Sequence, residues 1–446
     1  MQKIKSFANW PFHPAKTPFY YGWAIIVLGT LGICMSIPGQ TMGVSTFTDS
    51  LIEALGMSRS ELGFAYMCGT VTSASMLTWM GMKYDQHGGR PIAILAALGM
   101  AVTLVFMGKS DVIQSYLPSF LEGQVGNFLI MYIGFASLRF TGQGALTLVS
   151  RNMMMKWFEK RRGFAMGFSN VVTSLTFSAA PVFFEMLILD YGWKDAWLVI
   201  AVIAGLGFPL IVLFLFRDDP EKSGLKPDGD YKEKKSRANR FPVVKQFNLK
   251  ETMRSFPFWV FAMMLATQAF YWTGFTFNVV SLFETANYSR ATAVSIFVPS
   301  SVIAVIVTLS VSSLSDYIKL KYLLYVSGVG SLIATIGLIY LDQWPWMIHV
   351  MITGNGILLG LYGVFLSVVW PRFYGIRYLG AISGRAMTFV VLGSSIGPII
   401  FSESLARTDS YSAAGWLCFV IFLILTMAGF WADNPQERYR TNRNNP

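Results

Sequence analysis

Long apolar runs separated by short polar segments make up most of this 446-residue chain. A helix needs about 20 mostly apolar residues to cross the hydrocarbon core of a bilayer, and twelve runs meet that requirement. In the first half they cover residues 20–46, 60–81, 91–109, 124–150, 163–188 and 196–216. In the second half they cover residues 257–283, 290–315, 322–341, 346–371, 380–405 and 411–432. The pattern predicts an all-α membrane protein with twelve transmembrane helices.

Composition agrees with a membrane protein, because 54% of the residues are hydrophobic and 13% are charged, against about a quarter charged in soluble domains. The net charge is +11, but the basic residues lie between apolar runs, so we predict no nucleic-acid partner. The three histidines are far apart, and we find no phosphate-binding loop and no nucleophile near a base. We therefore predict no enzymatic activity, no cofactor and no metal site.

The distribution of Lys and Arg predicts the orientation, because cytoplasmic loops hold an excess of these residues. With the N-terminus inside, 29 of the 35 basic residues fall on the cytoplasmic side. We expect a multi-pass protein of the plasma (bacterial inner) membrane with both termini in the cytoplasm. The first apolar run is long enough to span, so we expect it to be retained rather than cleaved.

The chain is organised as two similar halves around a polar segment. Residues 217–255 lose the apolar pattern and are typical of a solvated, partly flexible cytoplasmic linker. Three positions of the first half recur 231 residues later: Arg59 as Arg290, Asp85 as Asp316 and Arg90 as Lys321. We predict two pseudo-symmetric six-helix bundles, residues 1–216 and 256–446, on either side of the linker.

The turn after the second helix carries the first candidate motif. It runs from Gly81 to Arg90, with Asp85 and Gly88 between them. Glycine permits a tight reversal, a carboxylate at Asp85 can accept hydrogen bonds from a helix N-terminus, and Arg90 supplies a balancing charge. The alternative is an ordinary polar turn. The recurrence at Asp316 and Lys321 favours a gating role at both turns.

Arg139 is the ionisable residue that the pattern places near the middle of a span. An unpaired charge there costs several kcal/mol, at least about 2.5 on insertion scales, so it should face a watery cavity or a partner. A guanidinium matches a carboxylate, because two parallel donors meet two oxygens. We predict that Arg139 anchors an anionic substrate; the alternative is a purely structural pairing.

Further polar residues within spans are candidates for substrate contacts. Pro38 interrupts the first helix, so Gln40 and Thr41 can face a cavity, although a kink towards lipid explains the same residues. The other candidates are Gln143, Gln268, Trp272 and Asn355. Packing or interface belts are the alternative for the aromatic residues.

Proton coupling usually needs a buried carboxyl group with a raised pKa. Glu185 and Glu403 are the candidates, near the outer ends of the fifth and eleventh helices. The alternative is that both are interfacial acids at helix ends.

These residues resemble the major facilitator superfamily, whose hallmark between helices 2 and 3 is G-x-x-x-D-x-x-G-R-[RK]. Gly81, Asp85, Gly88 and Arg90 match it, whereas Gln86 and Gly89 replace usual basic residues. In the second copy Lys319 stands at the Gly position, so Asp316 and Lys321 alone carry over. The resemblance implies a latch that holds the inner side shut.

Three short segments are similar to the oxalate/formate antiporter and monocarboxylate porter branch of that superfamily. They begin at Tyr20-Tyr21-Gly22-Trp23, Met57-Ser58-Arg59 and Lys156-Trp157-Phe158, the last followed by residues 161–167. Residues 139–144 also resemble the helix-4 pattern R-x-x-Q-G-x-G, with Gln and Gly displaced by one position. The eighth helix lacks the Arg/Asp pair of monocarboxylate porters, which transfers the expected anion contact to Arg139.

Together these features predict a secondary active transporter of a small organic anion, a mono- or dicarboxylate, working by alternating access. Proton symport and anion exchange both stay open. The alternatives are a carrier of a neutral solute and a non-transporting membrane receptor or scaffold. The expected partners are a small-molecule substrate, protons and the lipid bilayer.

Overall fold

The computed structural model describes residues 9–118, 123–229 and 240–439, and within them the ordered elements are helices, with no strand. Six long helices belong to the first half: α1 (Gly22–Met35), α2 (Arg59–His87), α3 (Gly89–Gly108), α4 (124–157), α5 (162–191) and α6 (193–215). Six belong to the second half: α7 (Phe256–Thr285), α8 (Arg290–Ser315), α9 (Leu320–Ile339), α10 (Met347–Tyr374), α11 (Leu379–Thr408) and α12 (Ser412–Trp431). The twelve predicted helices are confirmed.

Shorter helical segments connect or extend these twelve. They are Pro14–Lys16, Ile37–Gly39, Thr41–Ser45, Thr48–Leu55, Ser110–Ser115, Glu221–Ser223 and Leu249–Met253. Between α5 and α6 the chain turns at Gly192, whose φ of 78° is in the left-handed region that favours glycine.

The first apolar run is broken where its sequence contains proline. Regular helix ends at Met35, a tight turn covers Ile37–Gly39, and Thr41–Ser45 continues the run. Pro38 has no N–H to donate, so the helical hydrogen-bond pattern cannot continue through it. The predicted interruption is therefore confirmed.

The fourth helix contains a wide turn. Regular α-helix runs through Gln124–Leu138, a π-helical segment covers Arg139–Leu146, and Thr147–Trp157 is again α-helical. In a π turn each backbone bond spans five residues instead of four, and such turns are frequent at functional sites. Arg139 is the first residue of this segment.

The second helix is longer than its apolar run predicts. It begins with a capping box, in which Ser58 Oγ accepts from the amide of Glu61 at 3.2 Å and Glu61 accepts from the amide of Ser58 at 2.7 Å. It ends at His87 rather than near residue 81, so Asp85 lies on its last turn. One residue separates α2 from α3, Gly88, which has a φ of 85°.

The chain divides into two compact units. Unit 1 consists of Met1–Glu159, Val172–Lys234 and Ser383–Thr388, and unit 2 of Lys160–Val171, Lys235–Ile382 and Phe389–Pro446. Within unit 2, Gly163 and Gly167 at the start of α5 lie against Ser312 of α8, so closely that a Cβ at Gly163 would be 2.1 Å from the Ser312 carbonyl oxygen. Small residues permit this approach.

The expectation of a solvated linker over residues 217–255 is wrong for much of the segment. Residues 217–229 fold onto unit 1, where Arg217 is buried and its carbonyl accepts from the indole of Trp157 at 3.0 Å. In unit 2, Gln436 accepts from the amides of Val244 and Lys245. The segment has a charged composition, but some of its charges pair within the protein, as Asp219 does with Lys156 and Lys222. Residues 230–239 lie outside the described part of the chain.

Candidate functional site

The site in unit 1 is built where the break after α1 crosses the wide turn of α4. A Cβ at Gly39 would lie 2.5 Å from the carbonyl oxygen of Leu138, and one at Gly142 would lie 2.9 Å from Gly39 Cα. Both positions therefore require glycine, because backbone atoms cannot move aside as a flexible side chain can. The crossing brings the carbonyl of Gly39 within reach of the first residue of the wide turn.

Arg139 is held at this crossing with 1% of its surface exposed. Its Nη1 donates to the carbonyl of Gly39 at 3.1 Å and to Thr41 Oγ1 at 3.4 Å. Its guanidinium carbon lies 5.2 Å from the ring centroid of Tyr66 on α2, a cation–π contact. Its Nε is buried without an acceptor. Among the described residues, no ion pair involves Arg139.

Polar side chains surround the guanidinium. The Tyr66 hydroxyl donates to Thr41 Oγ1 at 3.0 Å, and Gln40 Nε2 donates to Ser36 Oγ at 3.1 Å and to Thr147 Oγ1 at 3.3 Å. Four predicted contact residues thus meet at one crossing: Arg139, Gln40, Thr41 and Gln143, the last with a buried Oε1 that has no donor.

Sequence reasoning missed three members of this cluster: Ser36, Tyr66 and Thr147. A hydroxyl-bearing residue in an apolar run is common, so none of the three stands out in the sequence. Their place depends on how α1, α2 and α4 pack, which an apolar pattern does not specify.

The candidates of unit 2 form a separate polar cluster between α7, α9 and α10. Gln268 is fully buried and its Nε2 donates to Ser327 Oγ at 2.6 Å. The Tyr271 hydroxyl donates to Asn355 Oδ1 at 3.0 Å. Gln268 Oε1 and Asn355 Nδ2 are buried without a partner. Trp272 is half-buried and contacts other aromatic rings. Their role in substrate binding stays a prediction.

The turn between α2 and α3 is held by an acid that sequence reasoning missed. Asp218 Oδ1 accepts from the amides of Gly89 and Arg90 at 2.8 and 2.9 Å, which caps the N-terminus of α3. The Arg90 guanidinium donates to the carbonyl of Phe216 at 2.6 Å. Burial raises the pKa of the Asp218 carboxyl group. Gly88 has a φ of 85°, in the left-handed region, so this position also favours glycine.

The corresponding turn of the second half carries Asp316, within unit 2. Its carboxylate accepts from the amides of Gly163 and Phe164 at 2.9 and 3.2 Å, at the N-terminus of α5. Burial raises the pKa of Asp316 to about 6, although these amides and two nearby arginines oppose the rise. Lys321 pairs with Asp433 at 2.6 Å. The repeated acid therefore meets a helix N-terminus.

The family follows from comparison with known proteins. The sequence model of the Major Facilitator Superfamily matches residues 29–398, most of the chain. The chain belongs to this superfamily. It is therefore a multi-pass membrane protein of a transporter superfamily, and its twelve helices are those of the major facilitator fold.

Curated relatives of this chain match over less than half of its length. The Probable sulfoacetate transporter SauU of Cupriavidus necator is 24% identical over 185 residues, 41% of this chain and 38% of that protein. Monocarboxylate transporter 2 of Rattus norvegicus is 22% identical over 203 residues, 45% of this chain and 38% of that protein. Multidrug resistance protein MdtL of Escherichia coli O157:H7 is 22% identical over 220 residues, which are 49% of this chain and 50% of that protein. The chain spans about two fifths to one half of these relatives.

Solved structures show the same fold as this chain. The proton:xylose symporter XylE has a TM-score of 0.62 at 13% identity, covering 94% of this chain and 98% of that chain. A bacterial homologue of the iron transporter ferroportin has a TM-score of 0.62 at 14% identity, covering 92% and 98%. At these identities the likeness concerns the fold alone.

The two acids suggested for proton coupling are both exposed. Glu185 is on α5, and Glu403 on α11 pairs with Arg407 one turn along at 2.8 Å. The first gate positions, Gly81 and Asp85, are buried and half-buried on the last two turns of α2. The coupling and gating roles of these residues stay predictions.

Proposed function

We propose that this protein is a secondary active transporter of a small organic anion, a mono- or dicarboxylate, which it moves by alternating access. The observation that carries the proposal is Arg139, a buried cation within a membrane-spanning helix and without an ion-pair partner among the described residues. Carbonyl and hydroxyl acceptors compensate part of the charge of the guanidinium. We propose that an anionic substrate compensates the rest of that charge.

The free donors of the guanidinium fit a carboxylate or a similar oxyanion. Nη1 is used by Gly39 and Thr41, whereas Nε has no acceptor. Nε and Nη2 form one edge of the guanidinium, and their parallel N–H groups match the two oxygens of a carboxylate. Because the side chain is 1% exposed, the substrate reaches it in a conformation that opens the crossing.

The surroundings of Arg139 suit a small polar ligand. Gln40, Thr41 and Gln143 add donors and acceptors. The buried Gln143 Oε1 has no hydrogen-bond donor. Two relatives support the anionic class by name, the Probable sulfoacetate transporter and monocarboxylate transporter 2. We propose that Gln268, Trp272 and Asn355 contribute the substrate contacts of unit 2.

We further propose that transport is coupled to proton symport or to exchange of a second anion, with Glu185 and Glu403 as the proton-coupling residues in the first case. Two turns serve as gates, the first with Gly81, Asp85, Gly88 and Arg90, and the second with Asp316 and Lys321. The excess of Lys and Arg in the loops supports a plasma-membrane location with both termini in the cytoplasm.

Uptake into proteoliposomes tests the anion anchor. Purified protein is reconstituted and assayed with labelled mono- and dicarboxylates, and with labelled neutral solutes. We expect Arg139→Gln to reduce carboxylate uptake at least a hundredfold and Arg139→Lys to retain a part of it, because a point charge replaces two parallel donors. Arg59→Gln is the control, since Arg59 is exposed and paired with Asp49. Unchanged carboxylate uptake by Arg139→Gln would exclude the proposed anchor.

A further inference from the structure

Unit 1 also contains a cavity whose chemistry differs from that of the anion site. Its volume is about 320 Å³, and α1, α5, α6 and the turn after α1 enclose it. Apart from the Cys34 thiol and the Thr176 hydroxyl, the side chains that line it are apolar. No charged residue lines it, so a polar or ionic ligand would lose its hydration there without compensation. Its chemistry selects an apolar occupant.

The cavity opens between two apolar stripes on the surface of unit 1. On α6 the stripe is formed by Ile203, Leu206 and Leu210, which are 45%, 64% and 55% exposed. On α5 it is formed by Ala179, Phe183 and Met186, all exposed. Spacings of three and four residues put each set on one face of its helix. In a membrane transporter, exposed apolar faces of this kind contact lipid.

Along the membrane normal, the cavity lies at the level of the lipid acyl chains. At 1.5 Å per residue, Ala179 and Phe183 lie about 26 and 32 Å along α5 from Arg162. Ile203 lies about 18 Å along α6 from Leu215 on the same basis. The hydrocarbon core is about 30 Å thick, so these three residues are within it or at its far edge. The floor of the cavity, Phe184 and Ala204 among its residues, is buried.

We propose that this cavity is a binding site for one acyl chain of a membrane phospholipid. The chain enters between the exposed rim residues Phe183 and Ile203 and lies against the buried floor. Atoms that line a cavity lack dispersion contacts on the side of the void. An acyl chain supplies these contacts without burying a polar group. The surrounding membrane supplies this ligand at high concentration.

The site adjoins the anion anchor through the break after α1. Ile37 and Pro38 form part of the cavity wall, and the next residue, Gly39, accepts the hydrogen bond of Arg139. An acyl chain therefore supports the break from the side of α5 and α6, while α4 packs against Gly39. This second step rests on the proposed function: lipid in the cavity regulates the position of the anion anchor.

Photolabelling in nanodiscs tests the lipid site directly. The full-length protein is reconstituted with phosphatidylcholine that carries a diazirine in the middle of one acyl chain, irradiated, and mapped by peptide mass spectrometry. We expect the label to concentrate on cavity residues such as Cys34, Phe183 and Ile203. Ala179→Phe, which fills the rim, should reduce this label at least fivefold. Leu206→Phe adds a ring to the exposed stripe of α6 outside the cavity and should leave the label unchanged.

Three outcomes would overturn the lipid site. They are equal labelling of Ala179→Phe and wild type, a label spread evenly along the stripe of α6 through Leu206 and Leu210, and labelling by a photoreactive free fatty acid but not by the phospholipid.

Ala180→Phe fills the floor of the cavity and provides a second test, with folding checked by size-exclusion elution. The readout does not depend on transport. An Arg139→Gln variant that keeps its lipid label but loses uptake separates this site from the anion anchor.

Discussion

Arg139 Nη1 donates to the carbonyl oxygen of Gly39 at 3.1 Å, so a charged group of α4 is tied to the backbone at the break after α1. That carbonyl is free to accept because the next residue, Gln40, is extended, so the helical hydrogen-bond pattern is interrupted there. The position of the guanidinium and the conformation of the break are therefore linked. A change at either one is expected to disturb the other.

Replacement of Gly39 tests this link. A Cβ at this position would lie 2.5 Å from the backbone oxygen of Leu138, so we expect Gly39→Ala to push α4 away and to lower the free energy of unfolding by about 1–3 kcal/mol. Uptake of the anion should fall with it. Gly63→Ala is the matched control, because no atom lies within 4 Å of its Cβ position on α2. It should be neutral or stabilising by up to about 1 kcal/mol. Thermal unfolding in detergent measures both.

The ring and the hydroxyl of Tyr66 make separable contributions. The ring lies 5.2 Å from the guanidinium carbon of Arg139, and a desolvated cation–π contact contributes about 1–2 kcal/mol. We expect Tyr66→Leu to weaken substrate binding about 5- to 30-fold, whereas Tyr66→Phe keeps the ring and loses a single bond to Thr41. Concentration dependence of uptake measures the effect. A larger loss in the Phe variant than in the Leu variant would contradict the cation–π assignment.

Asp218 should matter for stability although it lies in a charged loop. Removal of its carboxylate leaves the amides of Gly89 and Arg90 without an acceptor, and each such group costs about 1–3 kcal/mol. We expect Asp218→Ala to lower the free energy of unfolding by about 2–4 kcal/mol. Asp218→Asn keeps an acceptor and should lose less. The control is Glu221→Ala, which removes an exposed carboxylate of the same loop.

The pKa of Asp316 predicts a pH dependence with a defined sign. Burial raises this pKa to about 6, so the folded protein binds the proton more tightly than the unfolded chain. The advantage of the protonated form is complete at low pH and is lost as the pH rises through about 6. Arg162 and Arg372 face the group and limit the shift.

Comparison with Asp316→Asn isolates this contribution. The melting temperature of the wild type minus that of the variant should fall by a few degrees between pH 4 and pH 7. A difference that rises over the same range would show that the carboxylate, not the acid, is favoured at the N-terminus of α5.

Several features of the fold follow from the sequence alone, because they depend on local chemistry. Apolar runs of sufficient length predict the twelve helices, and Pro38 predicts the break in the first of them. The capping box from Ser58 to Glu61 also needs only four residues of sequence. Arg139 stands out because a charge within an apolar run is rare.

The remaining features depend on tertiary contacts and leave no local signal. Tyr66 contacts Arg139 only through the packing of α2 against α4. Asp218 is one acid in a charged run, and its neighbours do not show that it caps α3. The same run was predicted to be solvated because composition does not reveal that Lys156 and Lys222 pair with Asp219.

The wide turn of α4 also explains why one motif is out of register. The superfamily pattern places Gln three residues after Arg, whereas Gln143 follows Arg139 by four, and a π turn holds one residue more than an α turn. An insertion in a regular helix would rotate every later residue by about 100°. Here the extra residue is absorbed within the turn, and Ser150 still contacts Gly32 of α1. The π turn therefore accommodates one residue more beside Arg139 than the superfamily pattern has, while the α-helical half that follows packs against α1.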